Sequence, residues 1–157
     1  MPTGLFMAVA SATWGDAGFF TPFYRIAAVL DPAAYNISVE QAVTGSRFWF
    51  EPQTALSGAC VHLGLAAFFG MLFGLLWRGD RRPGPGATLL AAAVWGLVVA
   101  VVMVPVLRFC GQSVGGGGLI ADAPSSIGWP IYVAMHLVYG LSLGGIVALR
   151  AARPRRA

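Results

Sequence analysis

Residues 87–109 read ATLLAAAVWGLVVAVVMVPVLRF, and this stretch decides the fold class. Arg108, close to its end, is the only charged residue in it. A helix needs about 20 apolar residues to cross the roughly 30 Å hydrocarbon core of a bilayer, because each residue adds about 1.5 Å. The stretch therefore predicts a membrane-spanning helix.

Three further apolar runs flank this stretch, at residues 3–23, 56–77 and 129–149. The run 3–23 is the least regular, since it contains Asp16 and Pro22. A cleaved signal peptide is the alternative for that run, but no Arg or Lys precedes its short apolar part. We therefore predict one all-α domain over residues 1–157, an integral membrane four-helix bundle with helices at about 3–23, 56–77, 87–109 and 129–149.

Composition points in the same direction. The chain is 57% hydrophobic and 10% charged, whereas a soluble domain has about 25% charged residues. Its formal net charge is +4, but the basic residues sit beside apolar runs and form no basic stripe with interleaved aromatic residues. The expected partner is therefore the lipid bilayer and not nucleic acid.

The distribution of arginine predicts the orientation. Seven arginines follow the second and fourth runs, and three lie on the opposite side of the predicted membrane. The first group is Arg78, Arg81, Arg82, Arg150, Arg153, Arg155 and Arg156, and the second is Arg25, Arg47 and Arg108. Because basic residues favour the cytoplasmic side, and because four spans return the chain to its starting side, both termini are expected in the cytoplasm.

Two of the runs contain similar segments, HLGLAAFFG at 62–70 and HLVYGLSLG at 136–144. This similarity predicts two pseudo-repeated helical hairpins related by an axis along the membrane normal. His62 and His136 would then each lie roughly 10 Å below the external boundary, with Asp16 and Met103 at the same level. Gly70 and Gly74, and likewise Gly140 and Gly144, are interpreted as helix-packing contacts.

The predicted polar layer allows three interpretations. In the first, Asp16 bonds to a histidine and holds helices together. In the second, His62 and His136 are the two axial ligands of a b-type haem. In the third, Asp16, His62 and His136 bind a metal or other cation or relay protons. An ionisable residue inside a membrane needs a partner in every case, and the sequence leaves the three interpretations open.

Cys60 and Cys110 both fall near the external end of their runs. Oxidising conditions on that side would allow a disulfide between them, and two free thiols in apolar surroundings are the alternative. The chain contains no CxxC motif and no phosphate-binding glycine motif, and we do not expect an enzyme. The external segment 31–54 contains aromatic residues at 35 and 48–50, and it is expected to lie on the membrane surface or to cover the bundle.

The segment TWGDAGFFTP at 13–22, His62, Pro105 and the HLV at 136–138 together resemble the YagU-like inner-membrane proteins. This resemblance implies a bacterial inner-membrane location. The positions of this chain that match the family are residues 14–16 and the two histidines.

The expected function is a non-enzymatic accessory or structural subunit of a larger membrane complex, with other membrane subunits or further copies of the chain as partners. The rivals are a haem- or metal-binding redox protein and a small ion or proton transporter acting as an oligomer.

Overall fold

A computed structural model of the chain describes residues 2–14, 18–77, 84–113 and 128–152. These residues form helices and turns, with no strand among them. In chain order the helices are α1 (Pro2–Trp14), α2 (Thr21–Ala27), α3 (Ala33–Thr44), α4 (Pro52–Leu76), α5 (Pro85–Ser113) and α6 (Trp129–Ala152). Of these described helices, α4, α5 and α6 are long and apolar enough to cross a membrane. The expectation of an all-helical chain with membrane-spanning helices is confirmed to that extent.

The predicted continuous helix over 3–23 is wrong. α1 ends at Trp14, residues 18–20 are not helical, and α2 begins at Thr21. The 13 residues of α1 cover only about 20 Å at 1.5 Å per residue, which is less than the thickness of the hydrocarbon core. The described part of the chain thus has three membrane-capable helices, and the count of four is not confirmed.

Local hydrogen bonds explain the break between α1 and α2. The buried Ser11 hydroxyl donates to the Gly18 carbonyl oxygen at 2.9 Å, and the Gly18 N–H donates to Thr21 Oγ1 at 2.8 Å. Serine and threonine side chains compete in this way with the bonds of a regular helix. Pro22 then lies in the first turn of α2, where its missing N–H costs little. Asp16 lies outside the described residues.

A carboxylate cap moves the start of α4 to Pro52, four residues before the predicted position. Glu51 is the N-cap residue, and its Oε1 and Oε2 accept hydrogen bonds from the Gln53 N–H at 3.2 Å and the Thr54 N–H at 2.6 Å. These two bonds satisfy N–H groups that have no partner inside the helix. The negative charge also suits the positive end of the helix dipole.

The segment 31–54 is not simply a loop, because it contains α3. Asp31 Oδ1 accepts a hydrogen bond from the Ala33 N–H at 2.9 Å at the start of this helix. Gly45 ends it in the left-handed conformation, with φ of 67°, which glycine adopts at no steric cost. The hydropathy pattern did not predict α3, because this helix is polar and contains no long apolar run.

Helices α5 and α6 form the most closely packed pair, and they run antiparallel. The backbone of α5 at Gly96 lies against the His136 carbonyl, and the backbone of α6 at Gly140 lies against the Ala92 carbonyl. A side chain at either glycine would collide with the backbone of the other helix. Gly144 is also packed against Ala92, so the interpretation of Gly140 and Gly144 as packing contacts is confirmed. On α4, a methyl group on Gly70 would be in ordinary contact with side chains of α6, but a methyl group on Gly74 would meet no atom within 4 Å. The packing interpretation is therefore wrong for Gly74.

The core lies where α1 meets this pair. Met7 on α1, Ala100 on α5, and Tyr132 and Met135 on α6 are buried together. Phe23 on α2 covers the cluster from the side. The core therefore holds α1, α5 and α6 together at the end of the bundle where α6 begins.

Helix α4 is joined to the rest of the bundle in a different way. Near its start, Gly58 lets the Phe23 carbonyl of α2 approach its backbone closely. Further along, it accepts hydrogen bonds from the Tyr139 hydroxyl to the Ala66 carbonyl at 2.8 Å and from Trp95 Nε1 to the Phe69 carbonyl at 3.2 Å. Only 6% of its most apolar stretch is buried, against 22% for both α5 and α6.

Both cysteines are free thiols, so the disulfide is not formed and the alternative of two free thiols is the one observed. Cys60 is exposed on α4, whereas Cys110 on α5 packs against a cluster that includes Ala27, the last residue of α2, and Ala28, which follows it. Because α2 contacts α4 at Gly58 and α5 at Cys110, it separates the two helices at this end. The two cysteines lie at a similar level of α4 and α5, but they are not neighbours.

Candidate functional site

The structure brings His62 and His136 to the same level of the bundle. Tyr139 contacts Ala66, and Leu143 lies beside Gly70, so α4 and α6 run in the same direction with a constant offset. His62 precedes Ala66 by one turn, and His136 precedes Tyr139 by about one turn. Both side chains are half-buried, and the two imidazoles are close enough to interact electrostatically.

The hydrogen bond of His136 determines which nitrogen of its neutral imidazole carries the proton. Nδ1 lies 2.8 Å from the Tyr132 carbonyl oxygen. Because a carbonyl oxygen can only accept, Nδ1 carries the proton and, in the neutral ring, Nε2 keeps its lone pair. The Tyr132 ring packs on the imidazole with a centroid distance of 4.5 Å, and its hydroxyl donates to the Ala100 carbonyl at 2.8 Å. The imidazole is thus oriented by α6 itself and braced by α5.

His62 has a different environment, between α1 and α2. A methyl group placed on Gly4 would lie 3.9 Å from Cδ2 of His62 and 3.7 Å from Cζ of Phe23. Glycine at position 4 therefore allows α1 to pass close to the imidazole. Within the part of the chain that the structure describes, His62 forms no hydrogen bond.

For a metal or haem site, the described residues supply two imidazoles. They do not supply a complete cluster of metal-ligating side chains. Among them, no group of three histidine, cysteine, aspartate or glutamate side chains could hold an ion. Asp16, the third member of the predicted set, lies outside the described residues, and Met103 is half-buried on α5. A histidine whose Nδ1–H is bonded to a backbone carbonyl presents Nε2 in the arrangement that metal ligands commonly use.

Sequence reasoning overlooked Tyr139 and Trp95, whose side chains donate hydrogen bonds to α4 from α6 and α5. Each places a polar tip inside an apolar run, away from the helix ends where interfacial aromatic residues are expected. A buried tyrosine hydroxyl or indole N–H requires an acceptor. That requirement was the signal in the sequence for an interhelical contact at these positions.

Comparisons of the chain with protein-family models, with curated proteins and with solved structures gave no match.

Proposed function

We propose that the chain is a non-enzymatic integral membrane protein that acts as an accessory subunit of a larger complex, with α4 as the helix that contacts the partner. The observation that supports this proposal is the low coverage of α4 within its own bundle, 6% of its most apolar stretch against 22% for α5 and α6. A helix that crosses a membrane beside two others and contacts them so little has most of its surface left for another protein.

The composition of the exposed face of α4 favours a protein partner over lipid alone. Cys60, Gly64 and Ala67 are exposed there, and a methyl group on Gly64 or Gly74 would meet no atom within 4 Å. Small residues on a spanning helix allow another helix backbone to approach closely. Large apolar side chains are exposed on both helices, including Met71 on α4 and Val101 on α5, and these suit contact with acyl chains. On α4 the small residues lie among them on the same face.

The proposed location is the bacterial inner membrane, with both termini in the cytoplasm and two pseudo-repeated hairpins in a four-helix arrangement. The excess of arginine after the second and fourth apolar runs supports the orientation, and the resemblance to YagU-like proteins supports the location. The shared direction of α4 and α6 is the relationship that a parallel repeat requires.

Purification in a mild detergent, with two matched tryptophan variants, tests the proposal. Gly64→Trp places a bulky ring on the exposed face of α4, while Leu97→Trp places it on the exposed face of α5. We expect one other membrane protein to copurify at fixed stoichiometry with the wild-type chain and with Leu97→Trp, and to be lost with Gly64→Trp. A stable wild-type monomer, or equal effects of the two variants, would overturn the proposal.

A second candidate function rests on the histidine pair. His136 presents an unprotonated Nε2, and His62 lies at the same level in electrostatic range. We propose as the alternative that these imidazoles bind a b-type haem or a metal ion for electron transfer. His62 and His136 would supply the axial nitrogens, and the Tyr132 carbonyl would hold the His136 ring in its ligand orientation.

An absorption spectrum of the purified protein, before and after dithionite, with metal analysis of the same sample, tests this alternative. Haem predicts a Soret band and sharpened α and β bands on reduction, and it predicts that His62→Ala and His136→Ala each abolish them in a folded protein. A featureless spectrum with no metal, or an unchanged spectrum in both variants, would rule out the alternative.

A further inference from the structure

Residues 46–50, here called the aromatic loop, and the adjoining Glu51 are fixed by three hydrogen bonds to α2 and to Phe19, which lies just before it. The Phe19 N–H donates to the Arg47 carbonyl oxygen at 2.7 Å. The Tyr24 hydroxyl donates to the Trp49 carbonyl oxygen at 3.1 Å and accepts from the Glu51 N–H at 2.9 Å. Tyr24 is the largest side chain that is fully buried among the described residues. The loop therefore has a defined conformation and a buried anchor.

This defined conformation leaves two apolar rings in the open. Phe48 is 72% exposed and Phe50 is 50% exposed. Each touches a second ring on the preceding turn, with centroid distances of 6.1 Å between Phe48 and Phe19 and 4.6 Å between Phe50 and Phe20. The result is an apolar surface of four rings, which water would solvate poorly.

The position of the loop along the chain identifies what covers that surface. The loop ends two residues before Pro52, where α4 starts, and the 25 residues of α4 extend about 38 Å, longer than the hydrocarbon core. At the same end of the bundle, α5 exposes Phe109 and α6 exposes Trp129. Exposed aromatic rings thus accompany all three spanning helices at one boundary, as in the aromatic belts at membrane–water interfaces.

We propose that the aromatic loop inserts Phe48 and Phe50 into the headgroup region of the bilayer, so that α3 lies along the membrane surface. Continuity with Phe109 and Trp129 favours lipid as the occupant. The exposed residues of α3 include Asn36 and Glu40, which suit a helix whose outer side faces water. The exposed Arg47 guanidinium, next to Phe48, is placed to contact lipid phosphate.

Depth measurement with a nitroxide spin label on the full chain, reconstituted into phosphatidylcholine and phosphatidylglycerol vesicles, tests this inference. Both native thiols are first removed as Cys60→Ala and Cys110→Ala, and one cysteine is then placed as Phe48→Cys or, for the matched control on α3, as Asn36→Cys. We expect the label at position 48 to collide more with oxygen and less with a water-soluble nickel chelate than the label at position 36. Equal exposure of the two labels to nickel would overturn the proposal.

A second labelling site and one hydrogen-bond variant guard against the misfolding of any single variant. A label at Phe50→Cys is expected to behave like the label at position 48. Adding Tyr24→Phe removes both hydrogen bonds of the anchor and is expected to reduce the contrast between positions 48 and 36. Because the vesicles contain no partner protein, the result does not depend on the proposed subunit function. Labels at 48 and 50 that both face water would overturn the lipid proposal and point instead to a protein partner on this surface.

Discussion

The Tyr139 hydroxyl on α6 donates a hydrogen bond of 2.8 Å to the carbonyl oxygen of Ala66 on α4. α4 makes few other contacts with α5 and α6, the Trp95 bond to Phe69 being one of them. The Tyr139 bond therefore helps to set the offset of α4 relative to α6 along the helix axes. That position in turn places His62 and His136 at one level.

Removal of the Tyr139 hydroxyl is expected to weaken the attachment of α4. We predict that Tyr139→Phe lowers the free energy of unfolding by about 0.6–2 kcal/mol, the range for hydrogen bonds between membrane helices. Denaturant titration in detergent micelles measures the change. The control is Phe68→Leu, at an exposed ring on α4, which should stay within about 0.5 kcal/mol of the wild type. Equal stability of Tyr139→Phe and the wild type would mean that the bond contributes nothing.

Close packing of α5 on α6 predicts different tolerance at two glycines of α6. Gly140→Ala drives a methyl group into the Ala92 carbonyl, and the resulting separation of the helices is expected to cost about 1–3 kcal/mol. Gly145→Ala, with no atom within 4 Å, should be neutral or should stabilise by up to about 1 kcal/mol through helix propensity. Thermal melting followed by circular dichroism distinguishes the two variants, and identical melting temperatures would contradict the packing described.

The cap on α4 predicts a loss of stability in acid. Hydrogen bonds from Thr54, first from its side chain and then from its backbone, lower the pKa of the Glu51 carboxyl below its ordinary value of 4.5. A carboxyl whose pKa is lower in the folded state stabilises the fold above its unfolded pKa. This contribution disappears as the pH falls from 4.5 through the lower folded value.

Melting temperature measured from neutral pH down to about pH 3 tests the contribution of the Glu51 cap. Glu51→Gln should be less stable than the wild type at neutral pH, and the two curves should converge in acid. Glu40→Gln, at an exposed carboxylate on α3, serves as the control and should keep the same acid-induced decrease as the wild type. A constant difference between Glu51→Gln and the wild type at every pH would show that the charge of Glu51 has no part in the cap.

The length of an apolar run predicted α5 and α6 well, because a spanning helix must satisfy its own backbone and leaves a continuous apolar pattern. The same reasoning failed at the first run, where Ser11, Gly18 and Thr21 exchange hydrogen bonds that end α1. Hydropathy also gives no information on a helix start that depends on one side chain, as Glu51 shows for α4.

Contacts between helices were predictable only in part. Similar spacing from the helix start placed His62 and His136 at one depth, and the structure has them at one level. The same argument suggested that Cys60 and Cys110 could pair, but α2 lies between their helices. The depth of a residue follows from its position along its own helix. Which residues of other helices it contacts depends on the order of the helices around the bundle, and no local spacing in the sequence encodes that order.

The central claim is that the exposed face of α4 contacts a partner protein in the membrane. Site-specific crosslinking from Cys60 in native membranes tests this claim most directly. With Cys110→Ala, Cys60 is the single thiol and accepts a short photoreactive group; the control carries that group at Val101→Cys on the exposed face of α5 in a chain without native cysteines. The account predicts one adduct with a different membrane protein from position 60 and none from position 101. Lipid adducts alone from both positions, or an adduct of twice the chain mass, would contradict it.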